Sequence, residues 1–236
     1  MIPWLERHSA FPPLQSAMRN PNGLLAAGGD LSTERLLAAY RQGIFPWYGE
    51  GEPILWWSPD PRMVLFPDEL KISRSLSKTL RNKPYEVRFD TSFDAVMEGC
   101  AGSRGGQPGT WITAEMREAY HRLHGLGFAH SVETWIDGNL AGGLYGVALG
   151  AVFFGESMFS RLRDASKIAL VALVGQCKAK EIRLIDCQMH TRHLASLGAR
   201  DIPRPRFSHL LQELINYPRP AVHWTDSAYT NLPCHS

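Results

Sequence analysis

The stretch EIRLIDCQMHTRHLASLGA, residues 181 to 199, puts a carboxylate and a carboxamide, Asp186 and Gln188, at the end of an aliphatic run. Strand side chains alternate, so Ile182, Leu184, Asp186 and Gln188 share one face, and Ile185, Cys187 and Met189 the other. Polar groups that follow apolar ones on one face either anchor a loop or line a site where the strand leaves its cover. A third such group is Glu156 in GAVFFGESMFSR, between aromatics and Met158. A carboxylate there is costly unless it is paired or used. Simple alternation faces Val152, Phe154, Glu156 and Met158 together, while Gly155 predicts a bulge that brings Phe153 to the side of Glu156. A rim glutamate paired with Arg161 is the structural alternative. If the two strands are neighbours, Glu156, Asp186 and Gln188 converge at one notch, a set suited to acid-base and hydrogen-bonding chemistry.

The elements that must position this notch follow from the rest of the pattern. Residues 1 to 62 are rich in Pro, Gly and Trp, with one clear helix that Ser32 caps, Leu36, Leu37 and Tyr40 line, and Gly43 ends. GIFPWYGEGEPILWWSPDPR reads as a loop-rich segment closing in a P-D-P turn, a domain boundary, with Trp56 and Trp57 packed at the junction. Beyond it the pattern predicts a helix over 71–81, a strand near 85–89, a helix near 92–100 and a helix capped by Thr113 with Met116, Tyr120 and Leu123 on one side. Strands over 131–136, 140–148 and 151–159 then form a meander turned by Asp137-Gly138 and Gly150. A buried helix over 164–178, the strand of Asp186, a short helix around His193 and a last unit with IPRPRF complete the chain. The order predicts an α+β class: residues 1–62 as a small N-terminal domain, and 63–236 as an acyltransferase domain of the N-acetyltransferase (GNAT-like) kind, its mixed sheet mostly antiparallel.

At 236 residues, 44% hydrophobic and 20% charged, the chain reads as an ordinary soluble protein. No apolar run reaches the roughly 18 residues of a membrane span, and the start lacks a signal peptide, so no membrane partner is expected. Four scattered cysteines without a C-x-x-C pair read as reduced thiols in the cytoplasm. Cys187, His190 and His193 lack a fourth ligand, which favours a plain strand-to-helix turn with exposed histidines over zinc.

Net charge is only +2, but residues 71 to 88 hold six bases and one acid. Lys71, Arg74, Lys78 and Arg81 recur at helical spacing opposite Ile72, Leu76 and Leu80, giving a basic face that is either simply solvated or follows phosphates. An acetyl-CoA enzyme of this fold needs a glycine-rich pyrophosphate turn at the start of the central helix. That position reads SRLRDASK, with no glycine, so coenzyme A is a poor carrier. Tyr40, Trp47, Trp56, Trp57, Trp111 and Tyr120 lie outside the meander, several of them in loops, and rings beside basic surface are how single-stranded RNA ends are held.

NGLLAAGGDLS, GIFPW, ILWWSPDPR, GTWIT, AYHRLH, GESMFSR, ASK, LIDCQ and HLASLGA run in order from about residue 20 to 200. Together they resemble the bacterial leucyl/phenylalanyl-tRNA-protein transferases. The resemblance implies transfer of Leu or Phe, less often Met, from aminoacyl-tRNA to proteins with N-terminal Arg or Lys, marking them for degradation through the N-end rule. It implies no metal and no cofactor. By motif, Trp47 and Trp111 would hold the terminal adenosine, with Tyr40 and Tyr120 nearby. Leu144, Phe153, Met158, Leu170, Leu173 and Ile185 would line the aminoacyl pocket, and Glu156, Asp186 and Gln188 would form the catalytic notch. Leu144, Leu173 and Cys177 are smaller than the resemblance leads one to expect, implying a wider pocket with the Leu-over-Phe ranking open.

On this reading Asp186 polarises and orients, Gln188 relays through hydrogen bonds, and the departing ribose oxygen takes the proton. Lys71, Arg74, Lys78 and Arg81, with Arg161, Arg163 and Lys167, would meet tRNA phosphates. A monomer is expected. The alternatives are a CoA-dependent N-acetyltransferase and a non-catalytic RNA-binding module.

Overall fold

Two sheets divide the chain. The structure, a computed structural model, describes residues 2–102, 112–218, 224 and 229–230. The first part contains β1 (Trp4–Leu5), β2 (Leu24–Gly28), α1 (Thr33–Arg41), β3 (Phe45–Pro46) and β4 (Leu55–Trp57). Its four strands form a small sheet in the order β1-β2-β4-β3. The segment expected to be loop-rich therefore carries β3 and β4. Trp56 and Trp57 are buried there, with Trp56 Nε1 donating to Gly28 O at 2.8 Å. Helix α1 begins where the sequence placed its cap, with Ser32 Oγ accepting from the Arg35 N–H, a contact worth about 1 kcal/mol.

The second part runs β5 (Arg62–Leu65), α2 (Arg74–Asn82), β6 (Glu86–Phe89), α3 (Phe93–Ala101), α4 (Ala114–Gly125), β7 (Ala129–Ile136), β8 (Asn139–Leu149) and β9 (Val152–Ser160). It continues with α5 (Ala165–Ala179), β10 (Leu184–Gln188), α6 (Arg192–Ser196), β11 (Arg200–Ile202), α7 (Arg204–Leu214) and β12 (Tyr229–Thr230). Eight strands make one sheet, β11-β5-β10-β9-β8-β7-β6-β12. The expected α+β class with a mixed, mostly antiparallel sheet is what the chain adopts.

Strand β5, unread in the sequence, pairs with both β10 and β11 and inserts Arg62 beside the end of β10. Helix α2 starts at a Ser73 cap, its Oγ accepting from the Leu76 N–H, so Lys71 and Ile72 precede the helix instead of belonging to it. Ile72 is 40% exposed and does not join the apolar side that was expected of it.

Strands β9 and β10 run parallel, Ile185 opposite Phe153 and Asp186 opposite Phe154. Parallel neighbours need a crossover, and α5, apolar on most faces, supplies it. Apolar side chains fill both faces of the large sheet. Tyr40, Phe45, Tyr120, Tyr145, Phe154 and Phe207 pack on one face, and Phe153, Leu170, Leu173, Ile185 and Trp224 on the other.

Candidate active site

The bulge foreseen at Gly155 is present. Tyr145 pairs with Ser157 but Gly146 pairs with Gly155, which leaves Glu156 as the extra residue on β9. Extra residues of this kind re-aim a side chain. Here the result is a carboxylate, 8% exposed, held by three donors. Tyr40 Oη donates to Glu156 Oε1 at 2.8 Å, Tyr120 Oη to Oε2 at 3.0 Å, and Gln188 Nε2 to Oε1 at 2.8 Å. The two phenols also touch one another. Among the described residues no arginine salt-bridges Glu156; Arg161, the structural alternative, donates to Leu140 O at 3.2 Å. Burial, the largest influence, and the charge of Asp186 push the Glu156 carboxyl up to about 7, against the pull of the two hydroxyls and of Arg62. Burial and the Glu156 charge push both phenols well above their ordinary range, so they remain donors.

Asp186 has a different neighbour. Arg62 Nε donates to its Oδ1 at 2.8 Å and Nη2 to its Oδ2 at 2.7 Å, with both side chains almost wholly buried. The guanidinium lies between the rings of Phe45 and Phe207, 4.8 Å from each centroid, a stacked setting for which lysine is no substitute. Asp186 Oδ1 also accepts the Gln188 N–H at 2.9 Å. The ladder slips between Asp186 and Gln188, and Gln188 takes the left-handed φ of +63°. Alternation, which faced the two side chains together, stops there: Gln188 lines a cavity and Asp186 does not.

That cavity has a volume of about 400 Å³. Leu144, Phe153, Met158, Leu170, Leu173 and Ile185 line it, Glu156 and Gln188 give it one polar side, and Trp47 stands at its edge. Since Gln188 Nε2 is committed to Glu156, its amide oxygen is the group left to accept a hydrogen bond from a guest. The arrangement can hold an apolar side chain and orient a donor, such as an amine, beside a carboxylate.

A family model described as leucyl/phenylalanyl-tRNA protein transferase matches residues 64–212, and one for the N-terminal domain of the same proteins matches residues 29–60. The chain belongs to the leucyl/phenylalanyl-tRNA protein transferase family. It is therefore an aminoacyltransferase. The family member from Chromobacterium violaceum is 62% identical over 224 residues, covering 95% of this chain and 96% of that one. The one from Nitrosospira multiformis is 63% identical over 224 residues, covering 95% and 97%. Among solved structures, a GCN5-related N-acetyltransferase from Kribbella flavida overlaps 70% of this chain and 58% of its own at 10% identity and a TM-score of 0.36. L-PGS from Bacillus licheniformis overlaps 82% and 73% at 10% identity and a TM-score of 0.44.

Of the rings that the sequence resemblance placed at or near a terminal adenosine, Trp47 is 37% exposed, its ring 5.4 Å from that of Trp57 and its carbonyl accepting from Trp57 Nε1. Tyr40 and Tyr120 offer no face to a guest, because both are fully buried and spend their hydroxyls on Glu156. Trp111 lies outside the described residues, as does most of the glycine-rich loop before it. Lys71, Arg74, Lys78 and Arg81 are all exposed. His190 is exposed and meets Asp201, while His193, expected at the surface, lines the cavity. Among the described residues no three metal-ligating side chains converge, and no helix is long and apolar enough to cross a membrane. Arg62 is the site residue that sequence reading missed; it stood in plain view in ILWWSPDPR, but nothing local ties it to Asp186, 124 residues away.

Proposed function

We propose that this chain transfers leucine, phenylalanine and, less often, methionine from aminoacyl-tRNA to the α-amino group of proteins that begin with Arg or Lys, marking them for N-end rule degradation. It acts in the cytoplasm as a monomer, with residues 1–62 as a small domain and 63–236 as the catalytic one. The observation that carries this reading is an apolar cavity whose polar side is Gln188 clamped to Glu156.

In the proposed reaction the donor side chain fills the apolar cavity, and Trp47, with Trp111, stacks the terminal adenosine. The acceptor amine donates to the Gln188 amide oxygen and attacks the ester carbon. The bond from that carbon to the ribose oxygen breaks, and the ribose oxygen leaves with the proton that the nitrogen loses. Glu156 stabilises the positive charge that gathers on the nitrogen. Its carboxyl, at about 7, is far closer to an α-amine near 8 than a free aspartate near 4. Asp186 acts behind Gln188 as a positioning residue, through the Gln188 N–H. Since the ester is already activated, holding the two reactants together supplies much of the acceleration. Exposed Lys71, Arg74, Lys78 and Arg81 take phosphates of the tRNA body.

The test is transfer of labelled leucine from Leu-tRNA to matched peptides that begin with Arg, Lys or Ala, with acetyl-CoA offered as a rival donor. Label on the Arg and Lys peptides alone is the expected result. Acetylation instead, or no transfer from tRNA to any peptide, overturns the reading. Ile-tRNA should serve poorly, because branching at Cβ obstructs a narrow entrance; a rate equal to that of Leu-tRNA would contradict the assigned pocket.

A further inference from the structure

Trp224 belongs to the tail beyond α7, yet it is 3% exposed and sits in the apolar cluster that includes Leu144, Phe153, Leu170, Leu173 and Ile185. Its ring lies 5.8 Å from that of Phe153, stacks on His130 at 4.0 Å and meets Phe89 edge-on at 6.3 Å. The main chain is fixed as well. The Trp224 N–H donates to Asp90 Oδ2 at 2.7 Å, the same oxygen that His130 Nδ1 meets at 2.8 Å, while Asp90 Oδ1 accepts the Ser131 N–H. Burial raises the Asp90 carboxyl, but His130 and the two backbone donors outweigh it and hold it below its ordinary value. The buried carboxylate supplies the partner that the Trp224 N–H needs once it is out of water, and so fixes the position of the indole.

Phe153 is the side chain between Trp224 and the donor cavity. It is fully buried and lines that cavity. Gly146 closes a second side, since a Cβ there would fall 2.6 Å from the Phe153 ring. Beyond Trp224 lies another cavity, of about 360 Å³, bordered by His130, Lys180, Ile182 and Tyr217 as well as the indole. The indole therefore stands as a partition between Phe153 and this second space.

We propose that Trp224, acting through Phe153, sets the depth of the aminoacyl pocket and with it the ratio in which phenylalanine and leucine are taken. Trp224 is a positioning residue for donor choice. The inference rests on the reading above, in which the apolar cavity holds the donor side chain.

The experiment is a competition in which Phe-tRNA and Leu-tRNA are offered together to one Arg-starting peptide, for the native chain and for Trp224→Ala, Trp224→Leu and Trp224→Phe. A ratio taken within one sample is independent of how much of a variant has folded. In Trp224→Ala the phenylalanine-to-leucine ratio of kcat/KM should rise on the order of tenfold, the scale at which an apolar pocket separates side chains of different size. Trp224→Leu should fall between, and Trp224→Phe should stay within about twofold of the native ratio. Separate donor titrations should place the change in KM for Phe-tRNA. Equal loss for both donors, with the ratio unmoved across the three variants, would overturn the inference and leave Trp224 a core residue. A native chain that transfers from neither donor would instead overturn the reading on which it rests.

Discussion

Glu156 and Asp186 are two buried carboxylates on adjacent strands, and their surroundings could hardly differ more. Asp186 faces a guanidinium in a two-point grip and keeps its charge neutralised inside the protein. Glu156 faces two phenols and an amide, which can hydrogen-bond to a charge but cannot cancel it. Neutral donors leave the cost of burial only partly offset, so the Glu156 carboxyl sits at about 7 while its protonation still responds to the cell's pH. One carboxylate is an anchor and the other is poised. The difference teaches that burial alone does not set the charge state of a carboxylate, because the sign and kind of the neighbour decide.

Removing the cation should hurt most. Arg62→Met leaves Asp186 buried without a counter-charge and should cost about 3–5 kcal/mol in urea unfolding, much of it regained in Arg62→Met/Asp186→Leu. An unchanged midpoint in the single variant would erase the contrast. The next effect belongs to Glu156. Its folded pKa, about 7, lies above the ordinary 4.5, so the fold favours the protonated form. The stability this contributes is present in acid and is lost as pH rises from about 4.5 through 7, on the order of 3 kcal/mol. Glu156→Gln should abolish that pH-dependent loss, along with an inflection in kcat near pH 7, while the acceptor amine's own titration persists. Melting curves at pH 5 and 8 that fall in parallel for both proteins would refute a poised Glu156.

Gln188→Ala should lower kcat about 100-fold with little change in melting temperature, since it removes the group that orients the amine; loss confined to KM would mean the amide only binds. Tyr120→Phe deletes one hydroxyl, for about 1 kcal/mol of stability. Because that hydroxyl holds the Glu156 carboxyl down, the kcat inflection should shift to higher pH, and a downward shift would reverse the assignment. Lys78→Ala, far from both carboxylates, should leave kcat intact and reduce the salt slope of tRNA binding by roughly one.

Periodicity made most of the large sheet legible, because hairpin turns, caps and alternation are local signals. Ser32 and Thr113 cap where expected, and the helix around α5 is as buried as its composition requires. Short strands with few residues to alternate were not legible. β3 and β4 span two and three residues inside a Pro- and Trp-rich run and look like loop. The notch was half legible. Glu156 could be read from its cost and its adjacent glycine, whereas the turn of Gln188 away from Asp186 depends on a left-handed backbone that a non-glycine residue does not advertise. Tyr40 and Tyr120 read in the sequence as rings near a ligand, but helical spacing cannot show that their hydroxyls meet, 80 residues apart, over a carboxylate.

Tyr40 on α1 and Phe45 beside Arg62 have one more consequence, and it concerns time. Synthesis delivers Tyr40 116 residues before Glu156, so the small sheet's contribution emerges from the ribosome long before the groups it serves. An unfinished chain, however well its first sheet has formed, has no notch at all. A chain missing its first part, α1 and the small sheet together, would bury Glu156 without the Tyr40 phenol and leave Arg62 without the Phe45 ring. Assembly of the Glu156 pocket thus waits on distant parts of the described chain, Tyr40 from α1 and Gln188 from β10.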